Sequence, residues 1–303
     1  MNTHVAVLMG GRSAERPVSL DTGAACAVGL RAAGYRVSEI DAGPDLAQRL
    51  TELKPEVVFN ALHGRWGEDG CVQGLLEFMG LPYTHSGVRA SAVAMHKPSA
   101  LAVFRAHGIP CAEGHLTTVA AVNAKDPLPR PYVVKPPGEG STFGVRVVRG
   151  GDNNPPIGAD WQFGDAVLAE RFIPGRELTV AVMDGRALGV IEIRTDSGFY
   201  DYAAKYDTGG SQHLIPAPIH AESYAQALAL SEQAHIALGC RGVSRADFRY
   251  DDTNGEPGAL YMLEVNTQPG MTQTSLVPEL AAHCDIDFAA LVRWMVEDAG
   301  CAR

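Results

Sequence analysis

Glu264 and Asn266 stand two residues apart in the run Leu263-Glu264-Val265-Asn266-Thr267-Gln268-Pro269-Gly270, with Arg245 and Asp247 a short hairpin upstream. Tyr261-Met262-Leu263 reads as a buried strand, and residues two apart on a strand project from the same face. Asp247 lies on the candidate strand Ala246 to Tyr250, and the polar segment Asp251 to Gly258 can fold the two strands back as antiparallel neighbours. Two carboxylates and an amide oxygen, without Cys or His, suit Mg2+ rather than zinc, and Mg2+ held in this way commonly bridges substrate phosphates. The chemistry indicated is that of a nucleotide. Taken alone, the same residues also fit a solvated turn.

A second group begins at Val133-Val134-Lys135-Pro136 and continues through Gly138-Glu139-Gly140-Ser141-Thr142-Phe143-Gly144. Strand, Gly/Ser loop and strand follow one another there, and glycines let backbone N–H groups close around phosphate oxygens beside the charge of Lys135. The P-loop spacing is absent, and a plain hairpin fits as well. Lys97 is by itself a surface charge near a helix start. Leu168 to Glu177 is an apolar strand running into a connector, able to offer backbone groups to an adenine edge and Glu177 to ribose hydroxyls; a strand with a Pro-Gly turn is the simpler reading. Tyr200 to Tyr206 lies in a long polar loop of the kind that serves as a lid.

The elements that must position these groups follow from periodicity. His4–Met9, Tyr35–Ile40, Val57–Leu62 and Leu81–Thr84 read as strands, and Ser19–Ala33, Leu46–Leu53 and Cys71–Met79 as helices, so residues 1–93 form a small parallel α/β domain. Its Gly-rich turns, Gly10 to Glu15 and His63 to Gly70, fall beyond strand C-termini, where ligands bind in such sheets. A helix is expected over Ala90–His107. Residues 94–176 then carry short strands at Tyr132–Lys135, Val145–Val148 and Ala166–Glu170, in an α+β texture. Residues 177–303 bring further strands, a loop at Thr195–Pro216, a helix at Ala221–Leu238, the metal hairpin and a closing helix at Phe288–Asp298.

Composition sets the outer limits. The 303 residues can bury a sizeable core, and a net charge of -10 disfavours nucleic acid and anionic membranes as partners. Six cysteines include no Cys-x-x-Cys pair and no zinc-type cluster with His, which fits a reduced compartment. No charged, apolar leader opens the sequence and no stretch approaches a membrane span, so the cytoplasm is the expected location.

Many motifs in order give a sharper reading. Gly10-Gly11 to Glu15, Ala61-Leu62-His63-Gly64 with Gly67-Glu68-Asp69-Gly70, Gly80 to Thr84, Val134-Lys135-Pro136, Glu139-Gly140-Ser141, Phe199 to Tyr202 with Lys205-Tyr206, and Glu264 through Pro278 together resemble the D-alanine–D-alanine ligases of the ATP-grasp superfamily. The resemblance covers essentially the whole chain. It implies an ATP-grasp fold behind a Rossmann-like parallel α/β domain, and ATP-dependent joining of two D-alanines through a D-alanyl phosphate for peptidoglycan precursors. By the same resemblance Lys97 and Lys135 hold ATP phosphates, Glu170 and the Ile173 backbone meet adenine, and Glu177 binds ribose. Asp247, Glu264 and Asn266 hold two Mg2+ ions, replaceable by Mn2+, with Glu264 bridging. Glu15 pairs with the first D-alanine's ammonium, and Ser141 and Tyr206 join Glu15 in a lid-closing network beside Lys205 and His63. Arg245 and the Gly270 N–H stabilise the oxyanion, and Ser275 and Leu276 receive the second carboxylate. A homodimer is implied as well.

That chemistry needs those residue types. A carboxylate must first be phosphorylated to become an acyl donor, lysines and Mg2+ neutralise the crowded anions, and a closed lid keeps water from the acyl phosphate. The sequence departs from the family pattern at His96, where Asp is common, and at His85, Arg12, Trp66, Pro137 and Phe143. A ligase for other amino acids and a non-catalytic nucleotide-binding regulator are the competing readings. A NAD-dependent oxidoreductase is disfavoured because the first βα turn lacks Gly-x-Gly-x-x-Gly.

Overall fold

The fold was obtained as a computed structural model, which describes residues 3–140, 142–152, 154–195, 210–272 and 274–302. The candidates Ser141, Lys205 and Tyr206 lie outside the described residues. The chain opens with β1 (His4–Met9), α1 (Arg16–Ala32), β2 (Arg36–Asp41), α2 (Leu46–Leu53), β3 (Val57–Asn60) and α3 (Cys71–Met79). The three strands form a parallel sheet in the order β2-β1-β3. β1 is buried along its length because helices cover both faces, which is why it reads as an unbroken apolar run. The strand expected at Leu81–Thr84 is reduced to isolated bridges from Tyr83 to Val58 and to Gly300.

The single helix expected over Ala90–His107 is two helices, α4 (Val88–Met95) and α5 (Lys97–Ala106), parted at His96 with ψ 92°. Pro98 is the cause. Inside one continuous helix its ring would meet the carbonyl four residues back and its missing N–H would break the ladder, whereas in a first turn neither matters. His96 Nδ1 lies 2.8 Å from Ser99 Oγ, so this histidine touches the new helix start although it makes no side-chain bond to the backbone there.

A four-stranded antiparallel sheet follows, in the order β4-β7-β5-β6, from β4 (Gly114–Thr118), β5 (Tyr132–Lys135), β6 (Arg146–Val148) and β7 (Ala166–Arg171). β4 and α6 (Val119–Ala124), whose N-cap Thr118 accepts from Ala121 N–H, escape the sequence reading. The third sheet, β10-β9-β8-β11-β12, is built from β8 (Arg176–Met183), β9 (Arg186–Arg194), β10 (Gln212–Leu214), β11 (Val243–Asp251) and β12 (Ala259–Asn266). β10 lies within the expected Thr195–Pro216 loop. α7 (Ala221–Leu238), α8 (Leu276–His283) and α9 (Phe288–Glu297) complete the described elements, and α8 was not expected.

Two hydrophobic cores tie the lobes together. One joins Val5, Leu30 and Phe59 of the first sheet region to Val277, Leu280, Leu291 and Met295 of α8 and α9, so the closing helix returns to the N-terminal domain. The other packs Leu101 and Phe104 of α5 against Val180, Phe248 and Met262 of the five-stranded sheet. Burial at this scale contributes about 25 cal/mol per Å² of apolar surface, enough to hold the sheets at fixed distances around the cleft between them.

Candidate active site

β11 and β12 place Arg245 opposite Asn266 and Asp247 opposite Glu264, with a bulge directly after Asp247. Directly opposed residues share a face of the sheet, so all four side chains crowd one surface at the strand end. Asp247 is held there: Arg245 Nε and Nη2 donate to its two oxygens at 2.9 and 2.7 Å, and Thr179 Oγ1 on β8 donates at 2.6 Å. The expected oxyanion donor and the expected metal ligand thus lie against one another. Asn266 is oriented by the Gln268 N–H, which donates to its Oδ1 at 2.8 Å.

The helix break at His96 positions Lys97. Its backbone N–H donates to Pro137 O at 2.8 Å, its Nζ to Glu139 O at 2.7 Å, and the same Nζ lies 3.1 Å from Glu264 Oε2. One buried lysine therefore connects the Gly-rich loop to the metal strand.

From the other side comes the N-terminal domain. Glu15 is at the N-cap position of α1, yet its side chain makes no capping bond to that helix. A Cβ placed on Gly140 would lie 2.6 Å from Glu15 Oε2, and one on Gly64 would also meet that oxygen, so the carboxylate sits between two glycine backbones. His63 is buried, with Nδ1 3.0 Å from Glu68 Oε1 and Nε2 2.9 Å from Thr22 Oγ1. Because a carboxylate only accepts, Nδ1 carries the hydrogen toward Glu68, and Nε2 shares a hydrogen bond with the Thr22 hydroxyl. Thr22 was missed by the sequence reading. Glu15, Ser19 and Thr22 recur at helical spacing, and Ser19 Oγ donates to Ala61 O at 2.7 Å, so this polar stripe on a buried face was the available signal.

These groups meet around one cavity of about 60 Å³. Glu15, His63 and Glu68 line one side, Lys97 and Gly140 the next, and Arg245, Glu264, Asn266 and Gly270 the far side. A second group spans the four-stranded sheet, with Lys135 and Glu170, and the five-stranded one, with Glu177 and Arg249. Lys135 and Glu170 form a close buried ion pair, Ile173 O accepts from Arg249 Nε at 3.2 Å, and Glu177 Oε2 lies 3.6 Å from Arg249 Nη1. Arg249 was also missed. Burial pulls its guanidinium below the ordinary value, against the opposing effect of Glu177 and Asp251. Ser275 occupies the N-cap position of α8 without a side-chain capping bond, and its Oγ accepts from Thr272 N–H at 3.0 Å, with the buried Leu276 next to it. A Cβ on Gly270 would meet Ser275 Oγ at 3.1 Å, so this helix start adjoins the cavity wall.

Among the described residues no three His, Cys, Asp or Glu side chains gather at one point. The donors at the strand end are Asp247, Glu264 and the Asn266 amide, all oxygen, and that set fits a hard divalent cation. His85 is buried with φ 70°, its ring edge-to-face with Phe59 and its Nδ1 2.9 Å from Thr84 Oγ1. Trp66 has φ 74°, lies 47% exposed under the Arg65 guanidinium, and is absent from the lining of the cavity around Glu15 and Glu264. Arg12 lines a separate cavity at the mouth of the parallel sheet.

Two antiparallel sheets that close on a lysine-bearing Gly-rich loop and an acidic strand end, behind a parallel α/β domain, define an ATP-grasp enzyme. Residues 37–86 match the family model described as D-ala D-ala ligase N-terminus, and residues 104–297 the one described as D-ala D-ala ligase C-terminus. The chain belongs to the D-alanine–D-alanine ligase family. It is 61% identical to a D-alanine–D-alanine ligase of Paramagnetospirillum magneticum, over 99% of this chain and 100% of the relative, and 59% identical to one of Parvibaculum lavamentivorans, over 99% and 98%. A crystal structure of D-alanine–D-alanine ligase from Bacillus anthracis complexed with ATP superposes with a TM-score of 0.81 at 28% identity, covering 98% of this chain and 97% of that one. The VanG D-Ala:D-Ser ligase from Enterococcus faecalis gives 0.80 at 26%, covering 98% and 99%.

Proposed function

We infer that the protein joins two D-alanines into D-alanyl-D-alanine, consuming ATP and releasing ADP and phosphate, in the supply of peptidoglycan precursors. The observation that carries the residue assignment is the single cavity with a buried carboxylate, Glu15, on one side and Arg245, Lys97 and the Gly270 backbone around the other. A zwitterionic substrate fits such a site. Its ammonium meets Glu15 and its carboxylate faces the cations, next to the loop where the γ-phosphate of ATP would lie.

Each group has a task in the reaction. Lys97 and Lys135 draw charge from the phosphates, Glu170 and the Ile173 backbone receive adenine, and Glu177 receives ribose. The carboxylate of the first D-alanine attacks the γ-phosphorus, ADP leaves, and a D-alanyl phosphate forms. The second D-alanine, after its ammonium gives a proton to a base, adds through nitrogen to the acyl carbon; the resulting oxyanion is stabilised by Arg245 and the Gly270 N–H, and the nitrogen loses its second proton as phosphate departs. Asp247, Glu264 and Asn266 would hold Mg2+, two ions with Mn2+ as a substitute, which when bound neutralises the oxygens of the transferring phosphoryl group. Ser275 and Leu276, at the start of α8, receive the second carboxylate. His63 borders the first substrate. Ser141, Lys205 and Tyr206 belong by sequence to the lid and substrate contacts.

We take the lobes as 1–93, 94–176 and 177–303 and the protein as a cytoplasmic homodimer. No helix among the described residues is long and apolar enough to cross a membrane. Phe78, 93% exposed on α3, supports a subunit contact through the N-terminal lobe, which light scattering of the purified protein tests. The activity is tested by phosphate release from ATP and Mg2+ with D-alanine, L-alanine, D-serine plus D-alanine, D-lactate plus D-alanine, or no amino acid, with products weighed by mass spectrometry. D-alanine-dependent release yielding the dipeptide is expected. ATP binding without product would refute the assignment, and a mixed product formed in preference to the dipeptide would reassign the second substrate.

A further inference from the structure

Asn60 ends β3, Gln268 follows β12, and both side chains are buried in the seam between the N-terminal domain and the five-stranded sheet. Asn60 Nδ2 donates to Gln268 Oε1 at 2.6 Å and to Gly67 O at 3.1 Å, while Asn60 Oδ1 accepts from Leu62 N–H at 3.2 Å. Gln268 Nε2 donates to Leu62 O in turn. The sense of both amides is fixed by the backbone: Leu62 N–H can only donate and Leu62 C=O can only accept, so the two side chains must face each other oxygen to nitrogen.

The two amides therefore take up both polar groups of Leu62, the residue before His63, and the carbonyl of Gly67, four residues beyond it. Both ends of the loop that carries His63 are held. On the other side the Gln268 backbone N–H fixes Asn266 Oδ1. We propose that Asn60 and Gln268 are positioning residues: a buried amide bridge that locks the first-substrate loop of the N-terminal domain in register with the phosphate end of β12. This rests on the ligase reading of the cavity. Neither residue lines the cavity. Their effect is to set where the carboxylate to be phosphorylated lies relative to the phosphoryl group, and reacting groups displaced by about 1 Å can lose on the order of a hundredfold in rate.

Four variants test it: Gln268→Ala, the shape-preserving Gln268→Met, Asn60→Leu, and the pair Asn60→Leu with Gln268→Met. Each is assayed by phosphate release well below its own unfolding temperature, with D-alanine and ATP dependence measured separately, and by the thermal shift that each substrate induces. The expected pattern is a kcat/KM for D-alanine lowered roughly tenfold or more with the KM for ATP within about twofold, since the displacement falls on one side of the cavity. The thermal shift with D-alanine should be lost and that with ATP kept. The double variant should be no worse than the worse single one, because breaking either amide already breaks the bridge. A merely structural role would lower the unfolding temperature and leave kcat/KM for D-alanine and the KM for ATP alone, and that result in folded Gln268→Met would overturn the proposal even if Gln268→Ala does not fold. Additive losses in the double variant would overturn it too. Wild-type protein without D-alanine-dependent turnover would instead bring down the ligase reading and this proposal together.

Discussion

Replacing Gly140 by Ala should damage the first-substrate site while leaving the fold intact. The new Cβ would lie 2.6 Å from Glu15 Oε2, and restoring an ordinary contact of 3.4 Å moves that oxygen by about 0.8 Å. The oxygen is the far end of a flexible side chain, so the shift costs little stability. Its direction is restricted, because Gly64 borders the same oxygen on another side. If Glu15 holds the substrate ammonium, a displacement of this size should lower kcat/KM for D-alanine on the order of tenfold to a hundredfold. Gly138 provides the control, since a Cβ there meets nothing within 4 Å and neither glycine has the positive φ that would strain alanine. Phosphate release should therefore fall for Gly140→Ala, stay near wild type for Gly138→Ala, and the two should unfold at similar temperatures. Equal activity of the two variants would refute the placement of Glu15 against the substrate.

Glu264→Gln should abolish turnover and weaken protection by Mg2+ in thermal unfolding, and near-normal activity would remove Glu264 from the metal set. Thr22→Val leaves His63 Nε2 without its hydroxyl partner, a loss of about 1 kcal/mol that should appear as a several-fold fall in kcat/KM for D-alanine with the KM for ATP unchanged. His235, which is buried on α7 with Nδ1 2.8 Å from Ser244 Oγ, is depressed to about 4, chiefly by burial and then by Arg241. Between pH 6.5 and 4 the unfolded chain therefore binds a proton that the folded chain does not, and stability falls as pH falls. From pH 7 to pH 5 this one group should remove about 2 kcal/mol, read as the difference in urea unfolding between wild type and His235→Gln. Parallel pH profiles for the two proteins would refute it.

Much of the site was legible because its motifs are local. Glu264 and Asn266 share a face by strand parity alone, and the Asp251 to Gly258 segment does return β12 beside β11 with Asp247 opposite Glu264. α2, α3, α7, β1 and β5 were readable to the residue, since in each the apolar period and its flanking polar or glycine residues agree. The helix break at His96 was present in the sequence as Pro98, but the apolar positions on either side of it keep a common period and mask the interruption. Thr22, Arg249, Asn60 and Gln268 were not legible as site residues. Each acts through a partner distant in sequence, up to 208 positions away for Asn60 and Gln268, and no local pattern specifies such a pairing.

The sequence by itself determined the kinds of chemistry available: oxygen ligands at a strand end, lysines beside a Gly-rich loop, and a carboxylate in a Gly-rich turn beyond a strand end. It determined the family through the order of its motifs. Tertiary structure decided which of these groups meet. Lys97 joins the phosphate loop to Glu264 because a proline restarts a helix, Asp247 faces Glu264 because of strand register, and Glu15 reaches the cavity because two glycine backbones leave room for it. Those distances come from the packing of three sheets around shared cores, and packing depends on the shapes of residues far apart in the chain.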